Sequence, residues 1–199
     1  MVALDSLAPA WGEVFDLMWE AYLAGSIPVG AVVADAEGTI VARGRNRIFD
    51  AAHAGQLAGT RLGHAEVNAL VGLSSERTYD ELTLFTALEP CHLCLAAATT
   101  SRIGRLSYAA VDLYGGAVGK LLPSEDMRAH PLVVEGPLPG AEGSFPELLH
   151  VRHMLWRVPS SNVVRLYREL RPDVLALAER LPAPIEATTL ADAFANVAK

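Results

Sequence analysis

The sequence predicts an α/β fold in which a mixed β-sheet is covered by helices. Segments typical of strands alternate with segments of helical periodicity between residues 11 and 111. About half of the 199 residues are hydrophobic, which is enough for one well-buried core. No repeat, low-complexity tract or linker divides the chain. We therefore expect one domain over residues 1–158 and a helical extension over 159–199, packed on that domain or on a partner subunit.

The N-terminal part predicts a helix and a β-hairpin. Apolar residues recur at helical spacing from Trp11 to Leu23. Residues 28–34 and 39–48 resemble two strands joined by a tight turn. Residues 49–63 hold three glycines and have no clean period, so they predict a long loop, in which His53 is a candidate for gating a pocket.

The rest of the chain predicts further strands and helices in alternation. The predicted segments are a helix over 64–73, a strand over 81–88, a helix over 91–101, strands over 103–111 and 131–136, and a helix over 144–158. Ser144 is the expected cap of the last helix, with Pro146 in its first turn. Two helical pieces separated at Pro172 follow, and residues 182–199 predict a tail that is frayed or docked on a partner.

The charge distribution disfavours a polynucleotide partner. The formal net charge is −7, and residues 1–139 hold 9 basic and 16 acidic side chains, against seven of each in residues 140–199. A negative field opposes a phosphate backbone, so a small uncharged substrate is favoured. No apolar run approaches the roughly 18 residues that a membrane helix needs, so we expect no membrane partner. The start of the chain has no basic leader, so we expect a cytoplasmic protein.

Four residues predict a metal centre. The two cysteines of the chain, Cys91 and Cys94, are three apart at a predicted helix start, and His64 precedes Glu66 at another. One imidazole and two thiolates suit Zn²⁺, and three protein ligands leave the fourth position open, as in catalytic sites. A water at the open position would be made acidic by the metal, and Glu66, two positions after His64, should straddle the helix start with it so that both side chains can reach the open side of the metal.

These motifs resemble the cytidine deaminase superfamily. "HAE" at 64–66 and "PCHLC" at 90–94 match its His-x-Glu and Pro-Cys-x-x-Cys signature. "IPVGAVV", "RGRNRI" and "SRIGRLSYAAVD" are similar to the branch of tRNA-specific adenosine deaminases and guanine deaminases, while Asn68 resembles the deoxycytidylate deaminase branch. The resemblance covers about residues 10 to 135.

The resemblance implies a three-layer α/β/α fold with a mixed five-stranded sheet, and extra C-terminal helices beyond it. It implies a hydrolytic deaminase of a small aminated heterocycle, with His64, Cys91 and Cys94 on Zn²⁺ and Glu66 as the catalytic residue. It also implies a homodimer. Candidate substrate contacts are Pro28, Val29, Gly30, Ala31, Asn46, Ala65, His92 and Asp112.

Other interpretations stay open at this point. The four-residue set could be a coincidence, a structural zinc site or a redox-active cysteine pair. The protein could be a tRNA-specific adenosine deaminase, or a catalytically silent zinc-fold scaffold. Asp112 could be only a turn former at a strand end, and His150 and His153 are interpreted as ordinary surface residues.

Overall fold

The computed structural model describes residues 9–52, 54–120, 122–184 and 189–197. It contains a five-stranded sheet with the strand order β2-β1-β3-β4-β5. The strands are β1 (Gly30–Ala34), β2 (Ile40–Arg45), β3 (Tyr79–Leu88), β4 (Ile103–Ala110) and β5 (Val133–Glu135). β1 pairs antiparallel with both β2 and β3, whereas β3, β4 and β5 run parallel. The predicted mixed five-stranded sheet is confirmed.

Helices cover both faces of this sheet. They are α1 (Pro9–Leu23), α2 (Ala65–Leu70), α3 (His92–Thr100), α4 (Glu125–Ala129), α5 (Gly140–Arg157), α6 (Asn162–Leu170), α7 (Pro172–Ala178) and α8 (Leu190–Val197). One layer holds α1 and α5, which contact each other and the sheet; the other holds α2 and α3. The predicted α/β/α layering and the extra C-terminal helices are therefore present. None of the helices in the described part of the chain is long and apolar enough to span a bilayer.

Two glycines allow helices to lie directly on the sheet. A Cβ atom at Gly30 would collide with the backbone of α1, and one at Gly44 would collide with the backbone of α2. Close contact of this kind is available only to a residue without a side chain. Gly44 therefore fixes the height of α2 above β2, and with it the position of the residues at the start of α2.

The predicted loop over 49–63 is tied to the sheet by buried polar contacts. Asp50 accepts hydrogen bonds from Arg45 at 2.6 Å, Arg47 at 2.9 Å and Ser26 at 2.8 Å. Burial opposes its ionisation, but these donors hold the pKa of Asp50 below its ordinary value. Asn68 bonds both the backbone N–H and C=O of Leu57, which attaches the loop to α2. His53 lies outside the described residues.

The start of α5 differs from the prediction. The helix begins at Gly140 and places Pro146 in its interior, and Ser144 donates to the carbonyl of Gly140 instead of capping the helix. The prediction was wrong because residues 140–143 are Gly-Ala-Glu-Gly, which show no apolar period and have two weak helix formers. Periodicity becomes visible only from Phe145, where the helix enters the core.

The C-terminal helices pack on the core of the same chain. Val163, Val164 and Tyr167 of α6 and Phe194 of α8 are buried in the apolar cluster that includes α1 and the sheet. The Phe194 ring lies 5.3 Å from that of Phe145 and 6.5 Å from that of Phe15, between ring centroids. The described parts of the predicted tail are residues 182–184 and 189–197, in which Ala183 and Phe194 are buried against their own chain; residues 185–188, 198 and 199 lie outside the description.

His150 and His153 are core residues of α5, which corrects their interpretation as surface residues. His153 is fully buried, with neither ring nitrogen hydrogen-bonded. Its ring lies among those of Tyr22, Phe49 and Trp156, at centroid distances between 5.9 and 6.4 Å. Desolvation, with smaller effects of His150 and Arg157, lowers the pKa of His153 to about 3.

The buried His153 makes the fold sensitive to acid. Histidine in the unfolded chain titrates near pH 6.5. Below that pH the unfolded state binds a proton that folded His153 rejects, so the free energy of unfolding falls by up to about 1.4 kcal/mol per pH unit. We expect His153→Leu to reduce the loss of stability between pH 6.5 and 5, as measured by urea unfolding. The exposed His130→Gln serves as control, and equal pH slopes for wild type and His153→Leu would contradict the prediction.

Candidate metal centre

The metal centre forms where the N-termini of α2 and α3 meet. His64 is the residue before α2, and Cys91 is the residue before α3; both have extended backbones and neither side chain caps its helix. Both side chains are thus free to point at the gap between the helices. Cys94 lies in the first turn of α3, three residues after Cys91, and so faces the same gap.

The three donor atoms stand at distances that suit one metal ion. The Nδ1 atom of His64 lies 3.5 Å from Sγ of Cys94 and 3.7 Å from Sγ of Cys91, and the two sulfurs are 3.5 Å apart. A tetrahedral zinc ion with bonds of about 2.1 Å to nitrogen and 2.3 Å to sulfur requires donors about 3.6 Å apart. One nitrogen and two sulfurs are also the donor set that zinc prefers. The residues therefore fit zinc, and they would hold it by three ligands.

The cysteine pair already has one acidic thiol. The thiol of Cys94 hydrogen-bonds to Sγ of Cys91 and, against the effect of burial, lowers the pKa of Cys91 to about 4. The imidazole of His64 and the backbone N–H of Cys94 contribute to the same effect. Cys91 is therefore a thiolate at neutral pH, which is the form that binds metals.

Glu66 stands beside this cluster in the first turn of α2. Its side chain is buried, with the residue only 4% exposed, and its Oε1 accepts a hydrogen bond from Oγ1 of Thr86 at 3.1 Å. Burial raises the pKa of Glu66, which favours the protonated carboxyl over the charged one. A carboxyl group poised in this way can accept and return a proton. The predicted arrangement, with His64 and Glu66 straddling the helix start, matches these positions.

A cavity of about 300 Å³ opens over the cluster. Its lining includes His64, Glu66, Cys91 and Cys94, which we call the floor; the other lining residues, which we call the wall, include three predicted substrate contacts, Val29, Asn46 and Asp112. Asn46 is held by a hydrogen bond from the N–H of Ile48 to its Oδ1. Asp112 accepts from the N–H groups of Tyr114 and Gly115, so it is a turn former and also a wall residue.

The other predicted substrate contacts are not among the residues that line the cavity. Pro28 is buried just before β1, Gly30 faces α1, and Ala31 is in the middle of the sheet. Ala65 is buried in the first turn of α2. His92 is exposed at the start of α3. Their roles as substrate contacts stay predictions.

Several cavity residues were missed by the sequence analysis. Those without a predicted role are Ile27, Leu88, Glu89, Tyr114, Gly115, His150, Met154 and Val163. Glu89 organises the loop beyond β4, because its carboxylate accepts from the N–H groups of Asp112 at 3.3 Å and Val118 at 3.2 Å. The acidic residue directly before "PCHLC" was a visible signal. His150, Met154 and Val163 come from α5 and α6, and no sequence spacing links those helices to the metal motif.

Comparisons with known proteins agree with this site. Residues 10–110 match the cytidine and deoxycytidylate deaminase zinc-binding region. A tRNA(Ile)-lysidine synthase from Deinococcus radiodurans is 40% identical over 119 residues, which are 58% of this chain and 19% of that protein. A tRNA-specific adenosine deaminase from Haemophilus influenzae is 38% identical over 98 residues, which are 48% of this chain and 53% of that protein. The chain thus spans less than two thirds of either relative.

A solved structure is similar over most of its length. It comes from biochemical and structural studies of A-to-I editing by tRNA:A34 deaminases at the wobble position of transfer RNA. The two chains are 28% identical with a TM-score of 0.50, and the match covers 64% of this chain and 91% of the other. The zinc-binding match at 10–110 includes all four residues of the predicted metal centre.

The metal centre predicts a fixed zinc content. We expect about one zinc per chain in the purified protein and a value near zero in Cys94→Ala, because a ligand pair holds zinc far more weakly than three ligands. Metal is measured by mass spectrometry of the digested protein. His130→Ala, which removes an exposed histidine, should keep its zinc. Retention of a full zinc equivalent by Cys94→Ala would show that the ion is bound elsewhere.

Proposed function

Because the chain belongs to the family of the cytidine and deoxycytidylate deaminase zinc-binding region, we propose that it is a zinc-dependent hydrolytic deaminase. The substrate is a small aminated heterocycle, such as a nucleobase, a nucleoside or an analogue, and the products are the oxo compound and ammonia. The observation that carries this proposal is the buried carboxyl of Glu66 beside the His64, Cys91 and Cys94 cluster, at the floor of a cavity.

The reaction balances with water as the only co-reactant. The oxygen of water bonds to the ring carbon that carries the amino group, and the bond between that carbon and the amino nitrogen then breaks. Glu66 takes one proton from the water and delivers it to the neighbouring ring nitrogen, then moves the second proton of that water, from the new hydroxyl group on the ring carbon, to the departing amine, so that the oxo group forms as the carbon–nitrogen bond breaks. Zinc, when bound by His64, Cys91 and Cys94, supplies the Lewis acidity that makes water acidic near neutral pH.

The surroundings of Glu66 suit this proton transfer. Its raised pKa lets the carboxyl hold a proton between the two transfers. The hydroxyl of Thr86 donates to Oε1 and so fixes the orientation of the carboxyl group. Because Glu66 is only 4% exposed, little water competes with the substrate for its proton.

The cavity supports a small substrate. A volume of about 300 Å³ is at the lower end of the range for ligand pockets. Ile27, Val29 and Leu88 offer apolar surface for the faces of a flat ring, while Asn46 and Asp112 offer polar groups for its edge. Residues of α5 and α6 also contribute to the wall, so these helices help to shape the space over the metal ligands.

A second candidate is a tRNA-specific adenosine deaminase. The similarity to the Haemophilus influenzae enzyme and to the solved tRNA:A34 deaminase chain favours it. The net charge of −7 opposes it, because RNA affinity depends on basic side chains that neutralise phosphates. A gel shift with tRNA at low salt, together with a test for inosine formation, separates the two candidates.

Loss of the Glu66 carboxylate should stop the reaction without removing the metal. We expect Glu66→Gln to keep its zinc and to release ammonia at least about 100-fold more slowly, which is the lower range for loss of a general acid–base group. Ammonia is followed with wild type across cytosine, adenine, guanine, their nucleosides, and pteridine and triazine amines.

Glu76→Gln is the matched control, because Glu76 is exposed and remote from the cavity. It should retain wild-type activity. No ammonia from wild type with any free compound, combined with inosine formation in tRNA, would replace the first candidate with the second.

A further inference from the structure

His150 is a cavity residue contributed by α5, outside the residues 10–110 of the zinc-binding match. The residue is 5% exposed, and its Nδ1 atom is buried with no hydrogen-bond partner in the described structure. Buried polar atoms in proteins are nearly always hydrogen-bonded, because an unpaired one loses the interaction that water provided. Nδ1 is closed off from the cavity, whereas Nε2 is not among the buried nitrogens of the described structure, so Nε2 is the ring atom of His150 that a ligand in the cavity can reach.

The imidazole of His150 is uncharged. Burial lowers the pKa of His150, and the negative charge of Asp112 opposes this shift only in part. A neutral imidazole carries one N–H donor and one lone pair, so it can either donate to an oxo group or accept from a ring N–H. It can contact an uncharged heterocycle without placing a positive charge in the cavity.

Buried contacts between α5 and α6 fix the position of the helix segment that carries His150. The hydroxyl of Tyr167 donates to Oε1 of Glu147 at 3.1 Å, one turn before His150, and Tyr167 is fully buried. Met154 and Val163 lie on the same side of the cavity. His150 is therefore placed by a packed helix pair, as expected for a residue that sets the orientation of a ligand.

His153 provides the contrast within the same helix. It is buried and unpartnered too, but it lies among three aromatic rings and is not in the cavity wall. Its ring contributes to core packing. His150, one helical turn away, adjoins space that a ligand can occupy.

We propose that His150 is a specificity residue of this site, whose imidazole forms a hydrogen bond with the polar edge of the bound heterocycle. The inference rests on the proposed function, since it deepens the description of the substrate. It assigns the chemical class as a ring whose edge carries an oxo group or a ring N–H.

The test compares His150→Leu, His150→Gln and His153→Leu as zinc-loaded proteins. With the best ring substrate of wild type, we expect His150→Leu to lower kcat/KM about tenfold or more, mainly through KM, as loss of one hydrogen bond predicts. His150→Gln, which keeps a donor and an acceptor, should recover part of the loss. His153→Leu should leave KM unchanged. Equal KM values for wild type and His150→Leu, with thermal midpoints also equal, would overturn the proposal.

A binding measurement separates this inference from the proposed function. Wild-type protein with ¹⁵N-labelled histidine is titrated with cytosine, adenine and guanine, and the ring nitrogen signals are assigned with the His150 and His153 variants. A ligand that shifts the His150 signal and leaves the His153 signal in place supports the inference, even where no ammonia is released and the deaminase proposal fails. Turnover of a ring substrate with an unchanged His150 signal during binding would overturn the inference and leave the deaminase proposal standing.

Discussion

The site depends on one constraint, which is the approach of two helix N-termini to within ligand distance of each other. His64 and Cys91 each stand one residue before a helix, and their donor atoms are 3.7 Å apart although 27 residues separate them. A shift of 1 Å at either helix would exceed the tolerance of zinc coordination, whose bond lengths vary by about 0.2 Å. The packing of α2 and α3 on the sheet therefore has to be rigid.

The sequence meets this constraint with close backbone packing and a short connection. Gly44 lets the backbone of α2 rest on β2, where any side chain would collide. On the other helix, the connection from β3 to α3 is only Glu89, Pro90 and Cys91, and the N–H of Glu89 bonds the carbonyl of Ala110 at 2.7 Å. The end of β3 is thus paired with the end of β4 up to the residue before Pro90. Little freedom remains for Cys91.

Burial then gives the site its chemistry. The same close packing that aligns the ligands also removes water from Glu66, whose pKa it raises. The pKa of Cys91 is lowered instead, because hydrogen bonds from its neighbours outweigh the effect of burial. Neighbouring groups whose pKa values are shifted in opposite directions are typical of sites that transfer protons. For both residues the causes of the pKa shift are burial and the neighbouring groups of the metal centre itself.

The sequence predicted the parts of the molecule that are encoded locally. Alternation and helical periodicity gave the sheet and its covering helices, and the spacing of Cys91 and Cys94 gave the metal ligands, since each pattern is read within about ten residues. The start of α5 and the environments of His150 and His153 escaped prediction. His153 packs against the rings of Tyr22 and Phe49, and the charge of Asp112 acts on His150; all three residues are distant from α5 in sequence. Tertiary contacts of this kind leave no periodic signal.

The cavity is lined by two parts of the chain, and this explains why the type of reaction is easier to identify than the heterocycle that serves as substrate. The floor, with its ligands and proton carrier, lies within residues 10–110, where the match to known zinc-binding deaminase regions is found. Asp112, Tyr114, His150, Met154 and Val163 lie beyond it and form much of the wall. In the proposed function, the floor supplies the chemistry common to aminated heterocycles, and the wall is the part proposed to contact the edge that distinguishes one heterocycle from another. The identity of the substrate therefore has to be sought in α5, α6 and the loop after β4.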